Sequence, residues 1–204
     1  MTDLFNRGPE YRCISMDPPW AERGGGKIKR GADRHYPLMD KVQILGALKA
    51  SGKVNPAEHA HLWCWYTDNF LPDAIWLIFE LGFVYKRTYI WVKTGDDVPG
   101  YAPDDEWSDD DLRMGIGQYG RGCHEGLILA THGKGQDESV WTQNRSVRSV
   151  FHAPHPKDEA GKRIHSRKPP KSYDLIESVS KGPRLECFAR VARPGWDVWG
   201  NQAP

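Results

Sequence analysis

The chain has 204 residues, a length that fits one compact domain whose core can form without disulfides or metal staples. Its 28 Lys and Arg nearly balance its 27 Asp and Glu, so net charge alone does not indicate a nucleic-acid partner. The four cysteines form no CxxC pair, which argues against a zinc or redox site. There is no signal-like amino terminus and no apolar run of the roughly 18 residues that a membrane span needs. We therefore expect a soluble, intracellular protein, located in the cytoplasm.

Short apolar or aromatic runs alternate with helical patterns, as is typical of a sheet with crossover helices. The predicted elements, in chain order, are a strand at 12–17, a helix at 42–51, a strand at 61–66, a helix at 68–81, strands at 83–92, 126–132 and 147–152, a helix at 172–180, and strands at 184–189 and 196–200. This order predicts an α/β fold.

Residues 94–122 are rich in Gly and Asp and match no regular element, so they predict a long loop. We expect a single domain over residues 1–204 that carries this loop as an insert.

Charge is unevenly distributed along the chain. Residues 21–36 hold five Lys or Arg against two acids, and residues 157–171 hold six against two. Residues 96–111 hold eight acids and no base. Because phosphates attract cations and repel carboxylates, the two basic stretches are candidates for phosphate contact. The acidic stretch is expected to point away from a nucleic acid or to act as a lid.

The strongest chemical signal is the tetrapeptide Asp17-Pro18-Pro19-Trp20, which follows the first predicted strand. Open α/β sheets bind ligands at the carboxyl ends of their strands. The Asp17 carboxylate and the Pro18 carbonyl can only accept hydrogen bonds, which suits the two N–H groups of an amine. Trp20 offers a flat apolar face for stacking a base. The alternative is a proline turn with a buried tryptophan.

Further motifs accompany this tetrapeptide in order along the chain. They are HYPLM at 35–39, LWCW at 62–65, LGF at 81–83, IWVK at 90–93, GCHE at 122–125, HSRKP at 165–169, LECFAR at 185–190 and GWDVWGNQ at 195–202. Together they resemble the DPPW-type N6-adenine methyltransferases, a family that includes the catalytic subunit of the eukaryotic messenger-RNA adenosine methyltransferase and bacterial and phage relatives. The resemblance covers residues 11–202.

The resemblance implies a Rossmann-like methyltransferase fold in permuted order, with the catalytic motif before the cofactor motif, and S-adenosyl-L-methionine as cofactor. It implies that Lys168 and Arg190 reach the carboxylate of the cofactor, and that Asn201 and Gln202 bind its ribose and adenine. The remaining cofactor candidates are Asp17, Ser166 and Phe188.

For the target adenine, the resemblance implies contacts from Trp20, Tyr36, His124 and Glu125, with Asp17 between amine and cofactor. The implied partner is a nucleic acid, with DNA favoured over RNA, and the protein could act as a homodimer or a heterodimer. The implied setting is the cytoplasm of a bacterium or of a phage-infected host cell. No metal is expected, because the histidines lack HExxH or paired-cysteine spacing and methyl transfer from a sulfonium needs none.

Less specific interpretations of single residues stay open. Arg190 could be a solvated strand end, Lys168 a solvated charge, and Asn201 and Gln202 a polar tail. The alternative functions are a catalytically silent, nucleic-acid-binding partner subunit of the same fold, and an enzyme that methylates a free nucleoside or another amine.

Overall fold

A computed structural model describes residues 8–21, 37–96, 108–115, 119–133, 142–164 and 166–201. Its strands form a seven-stranded sheet in the order β5-β3-β4-β2-β1-β6-β7. The elements are β1 (Tyr11–Met16), α1 (Lys41–Ser51), β2 (Pro56–Tyr66), α2 (Leu71–Glu80), β3 (Val84–Thr94), β4 (His124–His132), β5 (Val150–Pro154), α3 (Pro170–Val179), β6 (Arg184–Cys187) and β7 (Asp197–Trp199). The predicted α/β class is confirmed, whereas the permuted order stays a prediction.

The central strands bury both faces, because their side chains alternate between two apolar layers. On β2, Leu62 and Cys64 pack in the layer that holds α1 and α2. Trp63 and Trp65 pack in the opposite layer, with α3. Both tryptophans are buried, and the sheet is covered on both sides.

Strand β4 is the exception to an otherwise parallel sheet. It pairs antiparallel with both of its neighbours, β2 and β3. The other strand pairs, β1–β2, β1–β6, β3–β5 and β6–β7, are parallel. The amino end of β4 therefore lies at the sheet edge where the parallel strands have their carboxyl ends.

The helices begin and end where local chemistry dictates. Helix α1 starts after a capping box between Asp40 and Gln43 and ends at Gly52 in the left-handed conformation. The predicted helix at 68–81 is divided: residues 68–70 form a 3-10 turn, and α2 starts only at Leu71. Pro72 explains this, because its ring would clash with the carbonyl of residue 68 in a continuous α-helix. Within the described ranges, no helix is long and apolar enough to cross a bilayer.

Every strand differs from the prediction at one or both ends, and β2 begins at Pro56 rather than at residue 61. Strand β6 ends at Cys187 rather than at residue 189, because Phe188 takes a left-handed φ of 61° that leaves the extended conformation. Strand β5 covers 150–154 instead of 147–152, since its register is set by pairing with β3 from Ile90 to Thr94.

The insert at 94–122 is more ordered at its base than predicted. Thr94 still belongs to β3 and pairs with Leu112, and residues 109–111 form a 3-10 turn. Asp96 makes an ion pair with Lys157 of the second basic stretch. Asp96 therefore contacts the second basic stretch, and the expectation that the acidic stretch points away from a nucleic acid or acts as a lid stays a prediction. Residues 97–107 and 116–118 lie outside the described part of the chain.

Candidate active site

Asp17 lies directly after β1, at the carboxyl edge of the parallel strands. Its carboxylate faces two cations: Lys168 Nζ is 3.0 Å from Oδ1, and an Arg190 guanidinium nitrogen is 3.5 Å from Oδ2. Lys168 comes from the segment before α3 and Arg190 from the loop after β6. Three chain segments that are distant in sequence thus bring their charges to one point.

Glu125 extends this cluster because β4 is reversed. It is the second residue of β4, so it reaches the same sheet edge as Asp17. One carboxylate oxygen lies 2.8 Å from Lys168 Nζ and the other 2.8 Å from Lys93 Nζ. The described charges therefore alternate in the order Lys93, Glu125, Lys168, Asp17 and Arg190, and we call this arrangement the charge chain.

Burial gives the charge chain its electrostatic character. The exposed fraction of the side chain is 9% for Lys168, 11% for Glu125 and 13% for Lys93. Burial alone would raise the pKa of Glu125, but the two lysines outweigh it and lower that pKa to about 2. Burial alone would lower the pKa of Lys168, but Asp17 and Glu125 raise it. Both groups are therefore ionised at neutral pH.

The pKa of Asp17 is shifted in the opposite direction to that of Glu125. Burial raises its pKa above the ordinary value, and Lys168 and Arg190 oppose that shift without cancelling it. Asp17 is thus the carboxylate of the cluster that accepts a proton more readily than an ordinary aspartate, whereas Glu125 holds its charge.

Aromatic rings lie beneath the two buried lysines. Lys168 Nζ lies 5.2 Å from the centre of the Trp65 ring, and Lys93 Nζ lies 5.5 Å from that of Trp91. The faces of indole rings attract ammonium groups. Core tryptophans thus also hold the lysines of the site.

Two unusual backbone conformations lie beside Arg190, one in the segment before α3 and one in the loop after β6. Phe188 and Ser166 both have left-handed φ values, 61° and 57°, although neither is glycine. The Ser166 carbonyl accepts a 2.7 Å hydrogen bond from Arg190. Gly200 packs so closely on this loop that a Cβ there would lie 2.8 Å from the backbone nitrogen and oxygen of Ala189. Such strained residues concentrate at functional sites.

Two cavities meet at Asp17, and Phe188 and Arg190 line both of them as well. One, of about 260 Å³, lies on the α3 side of the sheet and also contacts Lys168 and Glu186. The other, of about 350 Å³, extends past Pro19 to Asn201 on β7's side. A ligand in either cavity therefore lies beside the Asp17 carboxylate.

The tetrapeptide makes more contacts within the protein than its sequence alone indicates. Trp20 is 7% exposed, stacks on Phe70 at 5.6 Å between ring centres, and donates a hydrogen bond to the Trp65 carbonyl. One face of Trp20 is thus covered by protein. The Pro18 carbonyl accepts a hydrogen bond from the Trp20 N–H, which leaves it one lone pair for a substrate.

His124 and Glu125 do not converge, because consecutive strand residues point to opposite faces. His124 Nε2 lies 3.1 Å from Asp68 Oδ1 on the α2 side, away from the charge chain. Two further candidates, Tyr36 and Gln202, lie outside the described residues, so their roles stay predictions. Asn201 lines the larger cavity.

Sequence reasoning missed several residues that line or support the site. Lys93 directly follows the predicted strand 83–92, and its sequence position alone assigns it no role. Glu186 lines the smaller cavity; its Oε1 accepts a 2.6 Å hydrogen bond from Tyr173, and its buried Oε2 has no hydrogen-bond partner among the described residues. An acid inside the apolar run LECF was the available signal, because acids are seldom buried without a partner or ligand.

The described residues fit a ligand that carries both a carboxylate and an ammonium group. Lys168 and Arg190 supply cations for the carboxylate, and Glu186 Oε2 is a buried acceptor for a donor. Among the described residues, no group of three or more His, Cys, Asp or Glu could hold a metal ion.

Comparison with known proteins agrees with this chemistry. The model of the MT-A70 family matches residues 11–202. The human N(6)-adenine-specific methyltransferase METTL4 is 25% identical over 210 aligned residues, which cover 99% of this chain and 39% of the relative. The chain thus spans about two fifths of that relative's length. S-adenosylmethionine is the cofactor of MT-A70 methyltransferases, and the mixed seven-stranded sheet is consistent with their Rossmann-like fold. On the family match over residues 11–202, the chain is a member of the MT-A70 methyltransferase family.

Proposed function

We propose that the protein transfers a methyl group from S-adenosylmethionine to N6 of adenine in a nucleic acid. The observation that carries the proposal is the Asp17 carboxylate, held by Lys168 and Arg190 at the junction of two cavities. The cofactor candidates Lys168 and Glu186 line one cavity and Asn201 lines the other, so a cofactor bound across both would meet the target amine at Asp17. Positioning two reactants in this way supplies much of the rate of a bimolecular transfer.

Asp17 would act on the amine as a fixed acceptor. Its two cations orient the carboxylate, and an N–H of the adenine amine can donate to it. When the N–CH₃ bond forms and the S–CH₃ bond breaks, the amine nitrogen carries an excess proton. Asp17 is the better carboxylate to take that proton, because burial raises its pKa while two lysines hold the pKa of Glu125 at about 2.

The cofactor would be bound by residues of this chain with matching chemistry. We propose Lys168 and Arg190 for its carboxylate and Glu186 for its ammonium group, with Ser166, Phe188, Asn201 and Gln202 as further contacts. When bound, the cofactor supplies a sulfonium, whose positive charge makes the methyl group electrophilic.

The test of this function is direct. The protein is incubated with labelled S-adenosylmethionine and unmethylated DNA or RNA, and modified nucleosides are identified by mass spectrometry. N6-methyladenine in the wild type and none in Asp17→Ala is the expected result. Cofactor binding without transfer to any nucleic acid would favour the silent partner subunit, and transfer to free adenosine would favour a nucleoside enzyme.

We propose DNA as the preferred substrate, on the basis of the resemblance to bacterial and phage relatives. Parallel reactions on DNA and RNA of the same sequence compare the two. A higher kcat/KM on RNA would reverse the preference.

We propose that both basic stretches hold phosphates. In the second stretch, Lys157 is engaged by Asp96, whereas the side chains of Lys162 and Arg167 are exposed. Residues 23–34 lie outside the described ranges, so their part rests on sequence alone.

A salt titration of binding tests these contacts. Charge reversal at Lys162 and Arg167 should weaken binding for all sequences and reduce the slope of log K against log salt by about one unit per lost contact. Site preference should be unchanged. Replacing the acids of 104–111 by amides should leave affinity equal or higher. An unaltered slope in the basic variants would contradict phosphate contact.

A further inference from the structure

Lys93 is a buried lysine that the proposed chemistry does not use. Its side chain is 13% exposed, and its Nζ lies 2.8 Å from Glu125 Oε1. The other oxygen of Glu125 is bound to Lys168, 2.8 Å away. Neither cavity wall includes Lys93 among its lining residues. Its link to the cavity-lining residue Lys168 runs through Glu125.

The protein holds Lys93 in place from several sides. Its backbone N–H donates to the Cys123 carbonyl, and its own carbonyl accepts from the Arg113 N–H, both at 2.8 Å. The β3–β4 register sets Trp91 opposite Glu125, two residues from Lys93 on the same strand face. Trp91 also lies under the ammonium group. The Lys93–Glu125 contact is thus built into the sheet.

The Lys93–Glu125 contact affects how the hydrogen bonds of Lys168 are shared between Glu125 and Asp17. Lys93 takes one oxygen of Glu125 and leaves Lys168 only the other. Lys168 therefore keeps a share of its hydrogen bonding for Asp17, 3.0 Å away. Without Lys93, both oxygens of Glu125 can turn to Lys168 and draw it away from Asp17.

We propose that Lys93 is a positioning residue, which acts through Glu125 and Lys168 to set the place of the Asp17 carboxylate. This inference rests on the proposed function for its effect on methyl transfer. Its effect on the charge chain itself can be measured without any acceptor substrate.

The test compares Lys93→Met, which removes the charge, with Lys93→Arg, which keeps it. A matched control is Lys41→Met. Lys41 also forms an ion pair, at 2.8 Å to Asp73, and also lies over a tryptophan, Trp76, at 5.3 Å, but on α1 and α2. The control loses the same kinds of interaction outside the charge chain.

For turnover, Lys93→Met should lower kcat by about 10²-fold, the scale of a 1 Å misplacement, with KM for nucleic acid nearly unchanged. Lys93→Arg should recover at least tenfold of that loss, since it keeps the cation. Lys41→Met should stay within about twofold of the wild type, because surface ion pairs contribute little.

The second readout is the titration of Glu125, followed by carboxyl ¹³C NMR. The ionisable groups that face it are Lys93 from β3, Asp17 after β1, and His155, Arg163 and Lys168 from the segment between β5 and α3. Removing the Lys93 charge should raise the pKa of Glu125 from about 2 toward its ordinary value. The acid limb of S-adenosylmethionine binding should then move to higher pH.

Two results would overturn the inference: an unchanged titration of Glu125 in Lys93→Met, or a kcat equal to that of Lys41→Met. Should Lys93→Met not fold, Lys93→Gln, which keeps a donor without the charge, takes its place. If the wild type methylates no adenine, the proposed function fails. The Glu125 titration and the pH dependence of cofactor binding then still decide the role of Lys93.

Discussion

Replacing Asp17 by Asn tests the centre of the site with little change of shape. The variant keeps a side-chain oxygen but loses the charge that faces Lys168 and Arg190. We expect kcat to fall by about 10²- to 10³-fold, equal to about 3–4 kcal/mol, which is typical for removal of one preorganised electrostatic contact. Asp17→Ala, which removes both oxygens, should be at least as inactive.

The structure also indicates that the fold survives. At an effective dielectric constant of about 20, charges 3.0 Å apart attract by about 5 kcal/mol, but desolvation of each ion costs several kcal/mol. In the variant Lys168 still has Glu125 at 2.8 Å, and Arg190 still has the Ser166 carbonyl at 2.7 Å. Neither cation is left without a partner, so we expect stability to change by less than about 2 kcal/mol.

Single-turnover transfer of a labelled methyl group measures the chemistry, and urea unfolding measures stability. Burial raises the pKa of Asp17. As pH is lowered, the wild type should therefore begin to lose activity at a higher pH than it would if Asp17 had the pKa of an ordinary aspartate. The Asn variant should lack this limb. Residual kcat within tenfold of the wild type would refute the assigned role. A loss of stability as large as the loss of activity would assign Asp17 to the fold instead.

Three further predictions follow from contacts in and beside the site. Arg190→Ala should weaken the binding of S-adenosylmethionine and of its demethylated product alike, by about ten- to a hundredfold, since both carry the same carboxylate. Unchanged affinities in calorimetry would indicate a structural role for Arg190 instead. Gly200→Ala should cost about 1–3 kcal/mol in urea unfolding, because its Cβ would lie 2.8 Å from the Ala189 backbone, and an unchanged midpoint would argue against that close approach. The pKa of His155 is lowered from 6.5 to about 4 by burial, Arg163 and Lys93, so the stability that its neutral form contributes is complete above pH 6.5 and is lost as pH falls to about 4. His155→Gln should therefore lose less stability than the wild type over that range, with a ceiling of about 3 kcal/mol for the difference, and parallel pH–stability curves would contradict it.

The central elements could be predicted because their patterns are local. The apolar spacing of α2 and the apolar runs of β2 and β4 indicate structure without knowledge of the partners. Asp17 could be placed for the same reason, because it follows an apolar run and begins an unusual tetrapeptide. Its neighbours Lys168 and Arg190 came from the family resemblance, and their convergence on Asp17 depends on the strand order.

The rest depends on contacts that a sequence does not display. Nothing in the residues of β4 shows that it runs against its neighbours, so the position of Glu125 beside Lys168 could not be derived. His124 and Glu125 lie on opposite faces because β4 begins at His124, two residues before the predicted strand. The proposed role of Lys93 follows from the β3–β4 register, which sets Trp91 opposite Glu125 and Lys93 two residues further along the strand. The left-handed φ of Phe188 could not be predicted either, because glycine is the residue whose presence indicates that conformation.

The β3–β4 ladder has a consequence for how this protein can diversify. Lys93 and Glu125 stand at the two ends of one connection, and their register is set by the strands before and after it. The base of that connection is closed by Thr94 pairing with Leu112 and by the Arg113 N–H donating to the Lys93 carbonyl. Residues can therefore be inserted into or deleted from this connection without a change in the β3–β4 register that sets the positions of Lys93 and Glu125.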